Sequence, residues 1–109
     1  MKQPENNEWK KAATEAEFAE TDRKLLDFGG ERQIGLFKLD DGYYAISAWC
    51  SHQKASLMEG EVDGNELMCP LHGARFDIRS GKNLSLPAVR PLSSYPVKVE
   101  DGAVWIHLK

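Results

Sequence analysis

The chain has 109 residues, 41% of them hydrophobic and 28% charged, with a formal net charge of −3. That length supports one domain, residues 1–109, around one core, and the mild acidity excludes the basic patch that nucleic-acid binding needs. No apolar run approaches the length of a membrane helix, and Met1 to Asn7 lacks the apolar core of a secretory signal, so the expectation is a cytoplasmic monomer with no membrane partner.

After that polar start, Glu8 to Ala13 reads as a first strand. Thr14-Glu15-Ala16-Glu17 has the form of a capping box, with one or two helical turns to follow through about Glu20. Strand signals then dominate. Lys24 to Phe28 is followed by Gly29-Gly30, which accepts the positive φ angles of a tight hairpin. Arg32 to Leu39 alternates loosely, with Ile34, Leu36 and Lys38 on one face. Asp41-Gly42 marks a second hairpin, and Tyr43 to Trp49 is an aromatic, β-prone run that leads into Cys50. Glu61-Val62 and Glu66-Leu67-Met68 flank the turn Asp63-Gly64-Asn65, and the second of these strands leads into Cys69. Arg75 to Ile78 reads as a return strand closed by Ser80-Gly81. Leu84 to Leu92 contains Pro87 and Pro91, which argues for a stiff extended cover rather than a central strand. Tyr95 to Glu100, Asp101-Gly102 and Ala103 to Leu108 make a last hairpin. Many short strands with closely spaced turns predict an all-β domain.

The chemistry is concentrated in two short boxes, Cys50-Ser51-His52 and Cys69-Pro70-Leu71-His72. Together they hold both cysteines and two of the three histidines. In a reducing compartment this pattern points to metal binding rather than to a disulfide. Two thiolates and two imidazoles suit a closed tetrahedral zinc site. They equally suit a binuclear iron–sulfur cluster with two cysteines on one iron and two histidines on the other. Spacing alone leaves both open.

The residues around the boxes separate the two. Cys50-Ser51-His52 with Cys69-Pro70-Leu71-His72-Gly73 resembles the Rieske signature, and Ala55-Ser56-Leu57, Gly60-Glu61-Val62, Gly73 to Asp77 and the Pro87 loop extend the likeness from about Phe37 to the C-terminus. The chain is most similar to the Rieske ferredoxins of bacterial aromatic-ring-hydroxylating dioxygenase systems, and is also similar to the small subunit of NADH-dependent nitrite reductase. The resemblance implies one [2Fe-2S] cluster, with Cys50 and Cys69 on the inner iron, His52 and His72 on the outer one, and Pro87 in a covering loop. It implies a Rieske fold of antiparallel sheets, in which a small cluster-binding subdomain at about residues 47–90 is inserted into a basal β-sandwich or barrel. It implies an electron-transfer component rather than an enzyme, with no catalytic residues of its own. Its partners would be a flavoprotein NAD(P)H-dependent reductase and a terminal Rieske oxygenase. The alternatives are the nitrite reductase small subunit and, from another class, a zinc-stapled interaction module.

The departures from the respiratory Rieske pattern are informative. The two positions that carry an extra disulfide there are Ala55 and Leu71 here, and Ala74 replaces a serine whose hydroxyl bonds a cluster sulfur. Fewer hydrogen bonds to sulfur stabilise the reduced state less, which places the potential near the low end of the Rieske range, about −150 mV. Among the remaining residues, Lys54 reads either as a solvated side chain or as one close to the docking face, Arg75, Arg79 and Arg90 as ion-paired with Glu59, Glu61 or Asp77, His107 as an ordinary surface residue, and Trp9, Trp49 and Trp105 as core.

Overall fold

The fold is taken from a computed structural model, and residues 9–27, 33–49, 56–70, 73–85 and 91–108 are described. Among the described residues ten strands follow in order: β1 (Trp9–Thr14), β2 (Arg23–Asp27), β3 (Gln33–Leu39), β4 (Gly42–Ser47), β5 (Glu61–Asp63), β6 (Glu66–Met68), β7 (Arg75–Asp77), β8 (Ser94–Tyr95), β9 (Val97–Glu100) and β10 (Ala103–His107). Two short 3-10 turns, Glu15–Phe18 and Leu57–Glu59, interrupt them. Every strand pair is antiparallel, and the architecture is all-β as the turn pattern predicts.

The strands form three sheets, in the orders β1-β10-β9, β2-β3-β4-β8 and β5-β6-β7. The four-stranded sheet is the middle layer. Side chains alternate between the faces of a strand, so β3 and β4 feed two cores at once. Ile34, Leu36 and Ala45 pack with Ala12, Ala13, Phe18, Leu26, Val104 and Ile106 on one side. Phe37 and Ile46 pack with Leu57, Leu67, Cys69, Ala74, Phe76, Ile78 and Leu92 on the other. Burying a side chain of this class fully contributes about 1.5–3 kcal/mol. The second core therefore fastens β5-β6-β7 to the middle layer.

Several expectations change in detail. Alternation in β3 assigned one buried face, yet Ile34, Gly35, Leu36 and Phe37 are all buried because both faces are covered, and Lys38 is exposed. The run from Tyr95 to Glu100 is not one strand. Pro96 has no N–H to continue a ladder, and the chain changes sheets there: Tyr95 pairs with Ala45, while Val97 pairs with Ile106. The Pro96 carbonyl accepts instead from the His107 N–H at 3.0 Å.

The expected helix after Thr14 is a single 3-10 turn ending at Phe18. It closes with Ala19 N–H donating to Ala16 O at 3.2 Å, and Phe18 is buried in the first core. The Glu17 half of the capping box is present, its carboxylate accepting from the Thr14 N–H at 2.9 Å. In β1 a register irregularity between Lys11 and Ala13 accompanies the burial of two consecutive residues, Ala12 and Ala13, as a bulge permits. The Gly29-Gly30 turn lies outside the described residues. No helix among the described residues is long and apolar enough to cross a membrane.

Candidate metal centre

The first box leaves the end of β4. Ala48 N–H donates to Gln33 O at 3.0 Å, which holds the strand end to β3. Trp49 then bridges Ser56 antiparallel, and Leu57 N–H donates to Ala48 O at 2.7 Å. These contacts close the base of the segment 50–55. Ser56 caps the following turn, its hydroxyl accepting from Met58 N–H at 3.3 Å. Leu57 then turns fully into the second core.

The second box joins β6 to β7. Cys69 N–H donates to Ala74 O at 2.7 Å, and Gly73 N–H donates back to Cys69 O at 3.1 Å. Gly73 has φ +74°, a left-handed conformation that suits glycine because it has no Cβ. Cys69 and Ala74 are 2% and 1% exposed. The cover segment is held at both ends. Leu84 N–H donates to Arg75 O at 2.8 Å, the Arg75 N–H donates to Ser85 Oγ at 3.1 Å, and Leu92 N–H donates to Gly81 O at 2.7 Å.

Of the four predicted ligands, Cys69 is described, and Cys50, His52 and His72 lie outside the described residues, as do Lys54, Ala55, Leu71, Pro87 and Arg90. Among the described residues no group of three or more His, Cys, Asp or Glu side chains is placed to hold a metal ion. The donor chemistry of Cys69 fits an iron–sulfur cluster: its thiol is buried, free of any disulfide and held at a strand end, and thiolates are the ligands such clusters use.

The surrounding charges pair differently from expectation. Arg75 meets Glu66 at 3.1 Å and Arg79 meets Asp41 at 2.9 Å. Asp77 instead organises the turn after β7, accepting from Asn65 Nδ2 at 3.1 Å, Arg79 N–H at 3.1 Å and Ser80 Oγ at 3.0 Å. The reason is reach. The register of β6 against β7 sets Met68 beside Arg75 and Glu66 beside Asp77, so the long Arg75 side chain meets Glu66 diagonally across the strand pair.

The tryptophans are not core. Trp49 is 38% exposed. Trp9 and Trp105 are partly exposed. Trp9 lies between the Lys98 ammonium, 4.5 Å from its ring centre, and His107, 5.0 Å away edge-on. His107 is partly exposed on β10 in that cluster.

One supporting residue has no signal in the sequence. Arg23 Nη1 donates to Met58 O at 3.0 Å and to Gly60 O at 2.7 Å, while its guanidinium lies 5.4 Å from the Phe37 ring centre. Asp22 fixes the other side of the guanidinium at 2.8 Å. Arg23 thereby ties β2 to the segment that leaves the first box. The partners are 35 and 37 residues away along the chain, beyond any local pattern.

Comparison with known proteins agrees with this geometry. Residues 8–96 match the model of the Rieske [2Fe-2S] domain. The 3-phenylpropionate/cinnamic acid dioxygenase ferredoxin subunit of Photorhabdus laumondii is 44% identical over 88 residues, covering 74% of this chain and 84% of that protein. The ferredoxin of carbazole 1,9a-dioxygenase from Nocardioides aromaticivorans superposes with a TM-score of 0.84 at 32% identity, over 93% of this chain and 98% of that one. A complex of reduced oxygenase and oxidized ferredoxin in carbazole 1,9a-dioxygenase gives a TM-score of 0.85 at 29% identity, over 92% of this chain and 93% of that one. The zinc reading is set aside by these likenesses. The chain belongs to the Rieske [2Fe-2S] family, as an electron-carrying ferredoxin with one cluster rather than a catalytic oxygenase.

Proposed function

We propose that this chain carries single electrons from a flavoprotein NAD(P)H-dependent reductase to a terminal oxygenase that hydroxylates an aromatic ring. In this reading it is a cytoplasmic monomer and one domain, with the cluster-binding unit at about residues 47–90. Cys50 and Cys69 hold the inner iron, and His52 and His72 hold the outer one. When bound, the cluster supplies the one-electron chemistry, and the protein supplies its placement and electrostatics.

The observation that carries the proposal is the shared support of the two boxes. Leu57, which ends the first box segment, and Cys69 and Ala74, which bound the second, pack in the same core. Each segment is also closed at its base by backbone hydrogen bonds. Such a frame supports the reading of a preformed centre that draws ligands from both boxes. The relatives' names favour a dioxygenase system over a nitrite reductase small subunit.

The test is to purify the protein and record its visible absorption and its EPR spectrum after reduction. It is then mixed with NADH, a flavoprotein reductase and a terminal oxygenase. A red-brown protein with a Rieske signal that passes electrons to the oxygenase is the expected result, and Cys69→Ser removes both colour and signal. A colourless zinc protein, or stable association with a sirohaem protein in place of oxygenase reduction, overturns the reading.

A further inference from the structure

We propose that Trp49 is the anchor by which this chain docks on its terminal oxygenase, an inference that rests on the carrier reading above. Trp49 is the last described residue before the first box, and Cys50 follows it directly. It is 38% exposed, more than either of the other tryptophans. Placing so large an apolar ring in water costs free energy that association would recover.

The ring is carried on a fixed backbone. Trp49 N–H donates to Ser47 Oγ at 3.2 Å, Ser47 Oγ donates to Trp49 O at 3.4 Å, and the residue bridges Ser56. The preceding Ala48 is 1% exposed. Docking on an anchor whose backbone is already ordered loses little entropy, which is the property that makes an aromatic side chain an effective hot spot.

The occupant follows from position and charge. Electron transfer weakens steeply with distance, so an acceptor must seat against the boxes, and Trp49 stands at the start of one of them. The same segment continues into Glu59 and Glu61, both exposed, on a chain of net charge −3. An apolar anchor with acidic residues following it suits a partner surface with an apolar pocket and a rim of Lys or Arg. The oxygenase is the partner chosen because a similar fold occurs in a complex of oxygenase and ferredoxin.

The experiment compares wild-type protein with Trp49→Ala and Trp49→Phe, each with its cluster loaded. The probe is the oxygenase component of the 3-phenylpropionate/cinnamic acid dioxygenase system. Reduced ferredoxin is mixed with increasing oxygenase, and its reoxidation is followed by stopped flow. Trp49→Ala is expected to raise the half-saturating oxygenase concentration about tenfold, with the limiting rate and the cluster spectrum unchanged. Trp49→Phe should show a smaller increase. An unchanged half-saturating concentration in both variants overturns the proposal. So does a fall in limiting rate alone, which would make the ring an electron relay. If Trp49→Ala loses its cluster, Trp49→Phe with an intact spectrum and wild-type saturation overturns it as well. Wild-type ferredoxin that delivers no electrons to the oxygenase defeats the carrier reading, and this proposal falls with it.

Discussion

Arg23 Nη1 lies 2.7 Å from the Gly60 carbonyl oxygen. With its second bond to Met58 O and its position over Phe37, this contact joins β2 of the middle sheet to the segment between the first box and β5. The Arg23 side chain is 21% exposed, so water screens these bonds only in part.

Removing this tie should loosen the box segment before the rest of the fold. Hydrogen bonds that involve a charged group contribute about 1.5–3 kcal/mol. Arg23→Ala should therefore destabilise the protein by about 2–3 kcal/mol, read by urea unfolding. It should also speed loss of visible absorbance on warming. Arg23→Lys should recover only part of the loss, because one ammonium does not reproduce the planar fork.

Glycines on the same path test close approach. A Cβ on Gly60 would collide with Met68 O, a backbone atom. A Cβ on Gly35 would meet Phe37 Cε1 at 2.8 Å and Met58 Sδ at 2.9 Å, both in side chains. Backbone yields less readily than a thioether, so Gly60→Ala should be the more damaging. Losses of about 1–3 kcal/mol are expected for overpacking of this kind, measured by thermal unfolding of the two variants side by side.

Ala74 is 1% exposed and accepts the Cys69 N–H bond through its carbonyl. A hydroxyl added there should donate to a cluster sulfur and stabilise the reduced state. Ala74→Ser should therefore raise the midpoint potential, read by protein-film voltammetry. An unmoved potential, together with about 1–3 kcal/mol of lost stability, would mean that the hydroxyl is buried without a partner.

Acid should weaken the first core's edge through Glu17. Its carboxylate is held below the usual carboxylate range, first by the hydrogen bond from Lys24 and then by that from the Thr14 backbone; Lys24 Nζ lies 2.7 Å away. A folded pKa below the unfolded one stabilises the protein above the unfolded value, and that contribution is lost as pH falls through the folded value. Glu17→Gln should lower the urea midpoint at neutral pH, and the difference from wild type should vanish in acid. A difference that persists at low pH would point to packing instead.

Much of this protein was determined by short stretches of sequence. Asp63-Gly64-Asn65 and Asp101-Gly102 make their turns because the preference resides in the turn residues themselves, and Gly64 and Gly102 take φ +65° and +77°. The boxes pointed to metal binding, and the residues around them to the Rieske family, because ligand type, spacing and flanking motifs are all local. The expected partners of Arg75 and Arg79 were wrong, and Trp49 was misplaced in the core, because ion pairing and exposure depend on what another strand brings alongside. The tertiary structure alone decided that β1 closes against β10, that β3 is buried on both faces, that the chain changes sheets at Pro96 and that Arg23 ties β2 to Met58 and Gly60. Each of these joins residues far apart in the chain, where packing selects the neighbour and no local preference records it.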